Sequence, residues 1–260
     1  MIDFEQIKTW FPAEFQQKQY ARFILREYFQ YQILDFLSNS KYAKDLCFIG
    51  GTSLRLIHGI DRFSEDLDFD IKNITRSNFL DMTDSLIRFL KNSGYNVIAN
   101  DKEKENELNA FRRNIIFPEF LYQHNLSAFK EEKFLIKIES QNQEIIYSYE
   151  KALIKGCGYI FHFNIPTIAV LCSMKISALI NRNKGRDFFD VMFLLQKTEP
   201  DYNFLSKAIS IKNKKQLRQK LLSLCESVNI KNKSKDFEHL VFNISQSKRI
   251  LLFKDFIEAW

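Results

Sequence analysis

Between residues 14 and 38 the apolar positions Phe15, Tyr20, Phe23, Ile24, Phe29, Ile33, Leu34 and Leu37 recur at three- and four-residue steps, with charged residues between them. That period predicts an amphipathic helix whose apolar stripe packs into a core. The same spacing returns through Phe79, Met82, Leu86, Phe89 and Leu90, a second helix over 77–92 that Ser93 and Gly94 bring to an end. Other stretches alternate instead. The run 46–49 is short and wholly apolar, as in a buried strand, and Asp66, Asp68 and Asp70 alternate with Leu67 and Phe69. In a strand the three carboxylates share one face, with two apolar residues anchoring the other. Residues 114–117 and 134–138 read as further strands, flanking a charged, aperiodic stretch over 100–109 that reads as a loop. In the second of these strands Phe134, Ile136 and Ile138 point one way and Leu135, Lys137 and Glu139 the other.

Beyond about residue 150 the character changes, and a boundary there gives two parts, 1–150 and 151–260. Pro166 suits a first helical position, and the helix it opens runs to about Asn183. Its stripe of Ile168, Leu171, Cys172, Lys175, Leu179 and Arg182 is apolar except for two cations. A lysine so placed either snorkels to water or serves a site. Next come Gly185, Arg186, Asp187 and Asp190, with Asp187 and Asp190 on one helix face and Phe188, Val191 and Leu195 to pack beneath it. From 207 to 235 the chain is dense in lysine and arginine, with Glu226 as its only acid. That segment is either a solvated helix face or a nucleic-acid footprint.

Candidate chemistry concentrates between Phe48 and Asp70. Gly50 and Gly51 permit a tight turn after the first strand, and Thr52 and Ser53 can cap the helix that follows. Backbone N–H groups at such a turn form a nest that polyphosphate can approach. Asp66 and Asp68 can converge on one metal ion or bridge two. All-oxygen ligands completed by substrate phosphates suit Mg²⁺. A further carboxylate is wanted near the attacking hydroxyl. Glu139 is the best placed by strand geometry, unless it simply faces solvent, and Asp70 is its rival. Lys175 and Arg182 would then meet the β and γ phosphates, so the expected site is divided between distant parts of the chain.

Composition narrows the partners. With 260 residues, 45% of them hydrophobic, the chain can bury a real core, and a net charge of +6 with a pI near 9.0 suits a polyanionic partner. Cys47, Cys157, Cys172 and Cys225 are scattered and read as reduced core thiols, and the four histidines stand apart from any metal-ligand spacing. The start MIDFEQIKTWF lacks the pattern of a leader peptide, and no apolar run approaches a membrane span, so the expected location is the cytoplasm.

Together these residues resemble the polymerase-β-like nucleotidyltransferases, and within them the AbiEii branch of toxins from bacterial toxin–antitoxin and phage-defence pairs. Gly50-Gly51-Thr52-Ser53-Leu54 is similar to the first motif, and Arg62-Phe63-Ser64-Glu65-Asp66-Leu67-Asp68-Phe69 to the metal strand. Lys175, Ala178, Arg182 and Arg186-Asp187 with Asp190 resemble the later Lys and Arg-Asp motifs. The resemblance implies an α+β fold: a mixed sheet flanked by helices, with a mainly helical C-terminal lobe. It implies Mg²⁺ on Asp66 and Asp68, phosphate against Thr52 or Ser53, the triphosphate held by Lys175, and a site shaped by Asp187. It also implies an antitoxin partner and transfer of NMP from an NTP to RNA, at the 3′ end of tRNA, with release of pyrophosphate. The same cradle serves transfer to a protein or a small molecule. A non-catalytic nucleotide- or RNA-binding toxin subunit is the reading from another class.

Overall fold

Helices and strands mix along the first half of the chain, and the computed structural model describes residues 3–100 and 110–260. The chain divides into two units assembled from separate stretches. One comprises Met1–Ile57, Ser64–Gln143 and Lys151–Ile165; the other comprises His58–Phe63, Glu144–Glu150 and Pro166–Trp260.

The first unit begins with α1 (Phe4–Lys8) and α2 (Ala21–Ser38). The helix expected from residue 14 starts seven residues later, because residues before it form two short 3₁₀ turns, Ala13–Phe15 and Lys18–Tyr20. Nor is α2 amphipathic in the ordinary sense. Glu27, Gln30 and Gln32 are buried along with its apolar residues. Each buried polar group needs a partner, and Gln30 finds one by donating to the Ser64 carbonyl at 3.0 Å.

Next come β1 (Leu46–Ile49), α3 (Gly50–Leu56), β2 (Asp66–Ile71) and α4 (Arg76–Asn92). Thr75 and Asn78 form a reciprocal capping box that starts α4 one residue before the expected position. Then follow β3 (Ile98–Asn100), β4 (Ala110–Phe117), α5 (Phe120–Gln123) and β5 (Phe134–Gln141). The loop expected over 100–109 lies, apart from Asn100, outside the described residues. Five strands make a sheet in the order β1-β2-β5-β4-β3. Among the described strands of this sheet β2 and β5 run parallel and the other pairs antiparallel, so the sheet is mixed. Phe29 from α2 lies at the middle of an aromatic core beneath it, its ring 4.4 Å from Phe117, 5.5 Å from Phe120 and 5.7 Å from Phe134.

A hairpin of β6 (Tyr149–Gly156) and β7 (Tyr159–Pro166) follows. Cys157 and Gly158 both have positive φ, 49° and 81°, which suits a two-residue turn whose twist matches the strands. Pro166 therefore ends a strand and does not open a helix.

The second unit is helical. Its α6 (Ile168–Arg182) begins after Thr167 and stops where Asn183 turns left-handed at φ 51°. Behind it come α7 (Gly185–Leu195), α8 (Tyr202–Ile209), α9 (Lys214–Ser227), α10 (Ile230–Lys235), α11 (Ile244–Ser247) and α12 (Phe253–Ala259). Gly185 has a packing reason: a Cβ there would lie 1.8 Å from the Lys233 carbonyl oxygen. Its N–H instead donates to the Asp236 carboxylate at 3.1 Å, pinning the start of α7 to the end of α10. The architecture is α+β, a five-stranded mixed sheet with flanking helices, as the motifs implied. Among the described residues no helix is long and apolar enough to cross a membrane.

Candidate active site

Strand β1 delivers the chain to Gly50, whose φ of +82° is left-handed backbone that favours glycine. A side chain would also have no room there. A Cβ on Gly50 would stand 2.1 Å from Asp68 Oδ2, so the turn and the second aspartate are packed against one another. The helix begins at Gly50 itself, and Thr52 and Ser53 do not cap it, contrary to expectation. Both side chains point inward and are fully buried. The Thr52 hydroxyl donates to the Asp66 carbonyl at 2.5 Å, tying α3 to the first residue of β2. The Ser53 hydroxyl has no hydrogen-bond partner among the described residues, and Gly51 beside them is buried too.

On β2 the expected alternation holds. Leu67 and Phe69 are buried in the apolar layer, while Asp66 and Asp68 are half-buried on the opposite face. The parallel register sets Asp66 beside Lys137 and Asp68 beside Glu139. Paired residues on adjacent strands point the same way, so Asp66, Asp68 and Glu139 share one face. Asp70 continues that row but is 2% exposed, and its Oδ1 accepts the Gln143 N–H at 2.9 Å. Of the two rivals for the third carboxylate, Glu139 is the one on the open part of the face.

Lys137, which belongs to none of the motifs, is also a member of this face. Its Nζ lies 3.0 Å from Asp66 Oδ2 and 3.2 Å from Glu139 Oε1. Burial alone would lower the pKa of its ammonium, but Asp66 and then Glu139 outweigh that, and the net shift is upward. Arg112, across from Glu139 on β4, brings its Nε to 2.5 Å from the same Oε1. The signal for Lys137 was present in the alternation of residues 135, 137 and 139. What it lacked was the neighbouring strand, since periodicity gives a face without giving the register.

For a divalent cation the donor chemistry fits. Asp66 and Asp68 offer carboxylate oxygens two strand positions apart, which suits Mg²⁺ when phosphate oxygens supply further ligands. Among the described residues no three His, Cys, Asp or Glu side chains gather to enclose a metal by themselves.

The other expected residues belong to the helical unit. Lys175 on α6 is 7% exposed, and its Nζ lies 2.8 Å from Asp190 Oδ2. Asp190 on α7 is fully buried and also receives both Nε and Nη2 of Arg62 at 2.7 Å. Burial pushes the Asp190 carboxyl up, but Arg62 first and Lys175 next overcome this and hold it at about 2. Arg62 itself is 1% exposed. Nothing in the sequence links it to a residue 128 positions away. Arg182 does not join this triad. It makes its own two-pronged bond to the buried Asp187, Nε to Oδ2 at 2.8 Å and Nη2 to Oδ1 at 2.7 Å.

A glycine turn packed against the second aspartate of an Asp-x-Asp strand, in a mixed sheet flanked by helices, is the core of a nucleotidyltransferase. The model of the nucleotidyl transferase AbiEii toxin family, type IV toxin–antitoxin system, matches residues 32–250, and the chain belongs to that family. It is thus a nucleotidyltransferase of the toxin class. Among solved structures it is similar to MenT4, the nucleotidyltransferase toxin Rv2826c from Mycobacterium tuberculosis H37Rv, with a TM-score of 0.63 at 14% identity over 100% of this chain and 91% of that one. It is also similar to JHP933 from Helicobacter pylori, with a TM-score of 0.56 at 20% identity over 91% and 90% of the two chains. At these identities the likeness concerns the fold. No curated protein matches the sequence.

Proposed function

We propose that this nucleotidyltransferase moves NMP from an NTP to a hydroxyl of RNA, at the 3′ end of tRNA, with release of pyrophosphate and with Mg²⁺ bound by Asp66 and Asp68. The observation that carries the reading is the placement of Asp66, Asp68 and Glu139 on one sheet face, with Asp68 against the Gly50 turn. The metal, when bound, neutralises charge on the phosphate oxygens. In the reaction the acceptor oxygen bonds to the α-phosphorus, and the bond from that phosphorus to the pyrophosphate bridging oxygen breaks. The hydroxyl proton passes to a carboxylate of this face, for which Glu139 is the candidate. Phosphate is assigned to the turn from Gly50 to Ser53. Thr52, whose hydroxyl already holds the Asp66 carbonyl, serves by positioning the strand. Lys175 and Arg182 are assigned to the triphosphate, and Asp187 fixes the plane of the Arg182 guanidinium.

RNA is favoured as acceptor by the basic balance of the chain, +6 overall, and by the run of cations on α8 to α10, since Lys and Arg neutralise phosphates. Membership of a toxin–antitoxin family implies an antitoxin partner.

Incubation with total RNA and each NTP in turn, labelled at the α or the γ position, with Mg²⁺ tests the proposal. Label entering RNA from the α position alone is expected, and Asp66→Asn and Asp68→Asn should abolish it. Label from the γ position would make the protein a kinase. Label entering protein or a small molecule would move the acceptor, and no label from any NTP would remove the catalytic reading.

A further inference from the structure

The carboxylate face contains its own cation, and its position is specific. Lys137 is the direct strand partner of Asp66, and Glu139 that of Asp68, so the sheet itself fixes the lysine between two of the three acids. Its ammonium touches an oxygen of each, at 3.0 Å and 3.2 Å. Resting on the assignment of Asp66 and Asp68 to a divalent cation, we propose that Lys137 stands where a second divalent ion would have to bridge Asp66 and Glu139, so that the protein takes up one such ion and not two.

Charge and geometry argue together. Two-metal sites hold their ions ~3.5 to 4 Å apart across shared carboxylates. Here the Asp66 oxygen needed for sharing is already in contact with an ammonium, and a dication beside it would meet strong like-charge repulsion at short range. Glu139 is also engaged from its other side, where Arg112 Nε lies 2.5 Å from Oε1. With a cation on Asp66 and two on Glu139, the face accepts one dication on Asp66 and Asp68 far better than two.

The test is Mn²⁺ binding to the full chain, with no nucleotide present, followed by calorimetry and by the electron paramagnetic resonance of free Mn²⁺. Wild type should bind one ion per chain. Lys137→Met keeps the aliphatic stem and removes the charge, and it should bind two; Lys137→Arg should stay at one. Thermal unfolding of each variant checks folding, and Lys137→Gln replaces the Met variant if that one fails. Equal stoichiometry in wild type and the neutral variants, whether one or two, overturns the role of Lys137 and leaves the metal assignment standing. A wild-type ion that survives in Asp68→Asn, or no ion in any variant, overturns the metal assignment itself and the Lys137 inference with it.

Discussion

Asp68 occupies the space that a side chain on Gly50 would need, its Oδ2 lying 2.1 Å from the position of the missing Cβ. The glycine turn therefore sets where the second aspartate sits. Gly50→Ala must both strain a backbone at φ +82°, at a cost of about 1 kcal/mol, and displace the Asp68 carboxylate. A displacement near 1 Å costs on the order of 10²-fold in rate. NMP transfer should therefore fall far more than stability does. Urea unfolding and a labelled-NTP assay on the same preparation check this, and a variant with wild-type transfer would refute the coupling of the turn to Asp68.

Glu139 and Asp70 should separate cleanly under mutation. Asp70 is buried and accepts the Gln143 N–H, so Asp70→Ala removes a buried carboxylate and leaves that part-buried amide without this acceptor, which should cost about 1–3 kcal/mol. Glu139 lies on the open part of the face with half-buried and exposed partners, 28% for Lys137 and 63% for Arg112, and exposed pairs contribute little stability. Glu139→Gln should unfold with wild type within about 0.5 kcal/mol while transfer is lost. The reverse pattern, an inactive Asp70→Ala of full stability, would exchange their roles.

How far periodicity reached is clear from particular residues. The Asp66–Ile71 alternation and the inward set Phe134, Ile136 and Ile138 gave faces that the sheet retains, because a strand's period leaves a residue only two ways to point. Faces are local properties, and partners are not. That Lys137 lands beside Asp66 depends on the β2–β5 register, and that Arg62 meets Asp190 depends on 128 intervening residues. The β6–β7 hairpin is hard to read because Gly158 alone signals its turn, while the other turn residue, Cys157 at φ 49°, is of a type that rarely adopts positive φ. Periodicity places the start of α2 too early because apolar residues at 15 and 20 continue the helical spacing through 3₁₀ turns. Gln30 lies off the apolar stripe and is buried all the same, because the fold brings the Ser64 carbonyl to it as a partner.

Asp190 should be the most costly single residue of the helical unit. It is the shared acceptor of Arg62 and Lys175, all three nearly or fully buried. Asp190→Ala leaves two cations without their counter-charge and should destabilise by about 3–5 kcal/mol. Lys175→Met leaves Asp190 still held by both arms of Arg62, so its cost should be smaller, about 1–3 kcal/mol. If Lys175 also meets the triphosphate, the Met variant raises the KM for NTP beyond what lost folding explains. Chemical denaturation ranks the two variants. Equal stability of Asp190→Ala and wild type would remove the triad from the structural account.

The same triad sets a pH window. Burial raises the Asp190 carboxyl, Arg62 and then Lys175 outweigh it, and the folded value is about 2 against an ordinary 3.8. A carboxyl held below its unfolded value stabilises the fold once ionised. That contribution, about 2 kcal/mol, is fully present above about pH 4 and lost as the pH falls toward about 2. Asp190→Asn is neutral throughout and lacks it. The stability gap between wild type and this variant should therefore be constant from neutral pH down to about 4 and then narrow, other titrating groups cancelling in the difference. Urea midpoints across that range measure the gap. One that stays constant to pH 2 would mean that Asp190 keeps no charge-dependent hold on Arg62 and Lys175, and one that narrows near neutrality would place the titration on another group.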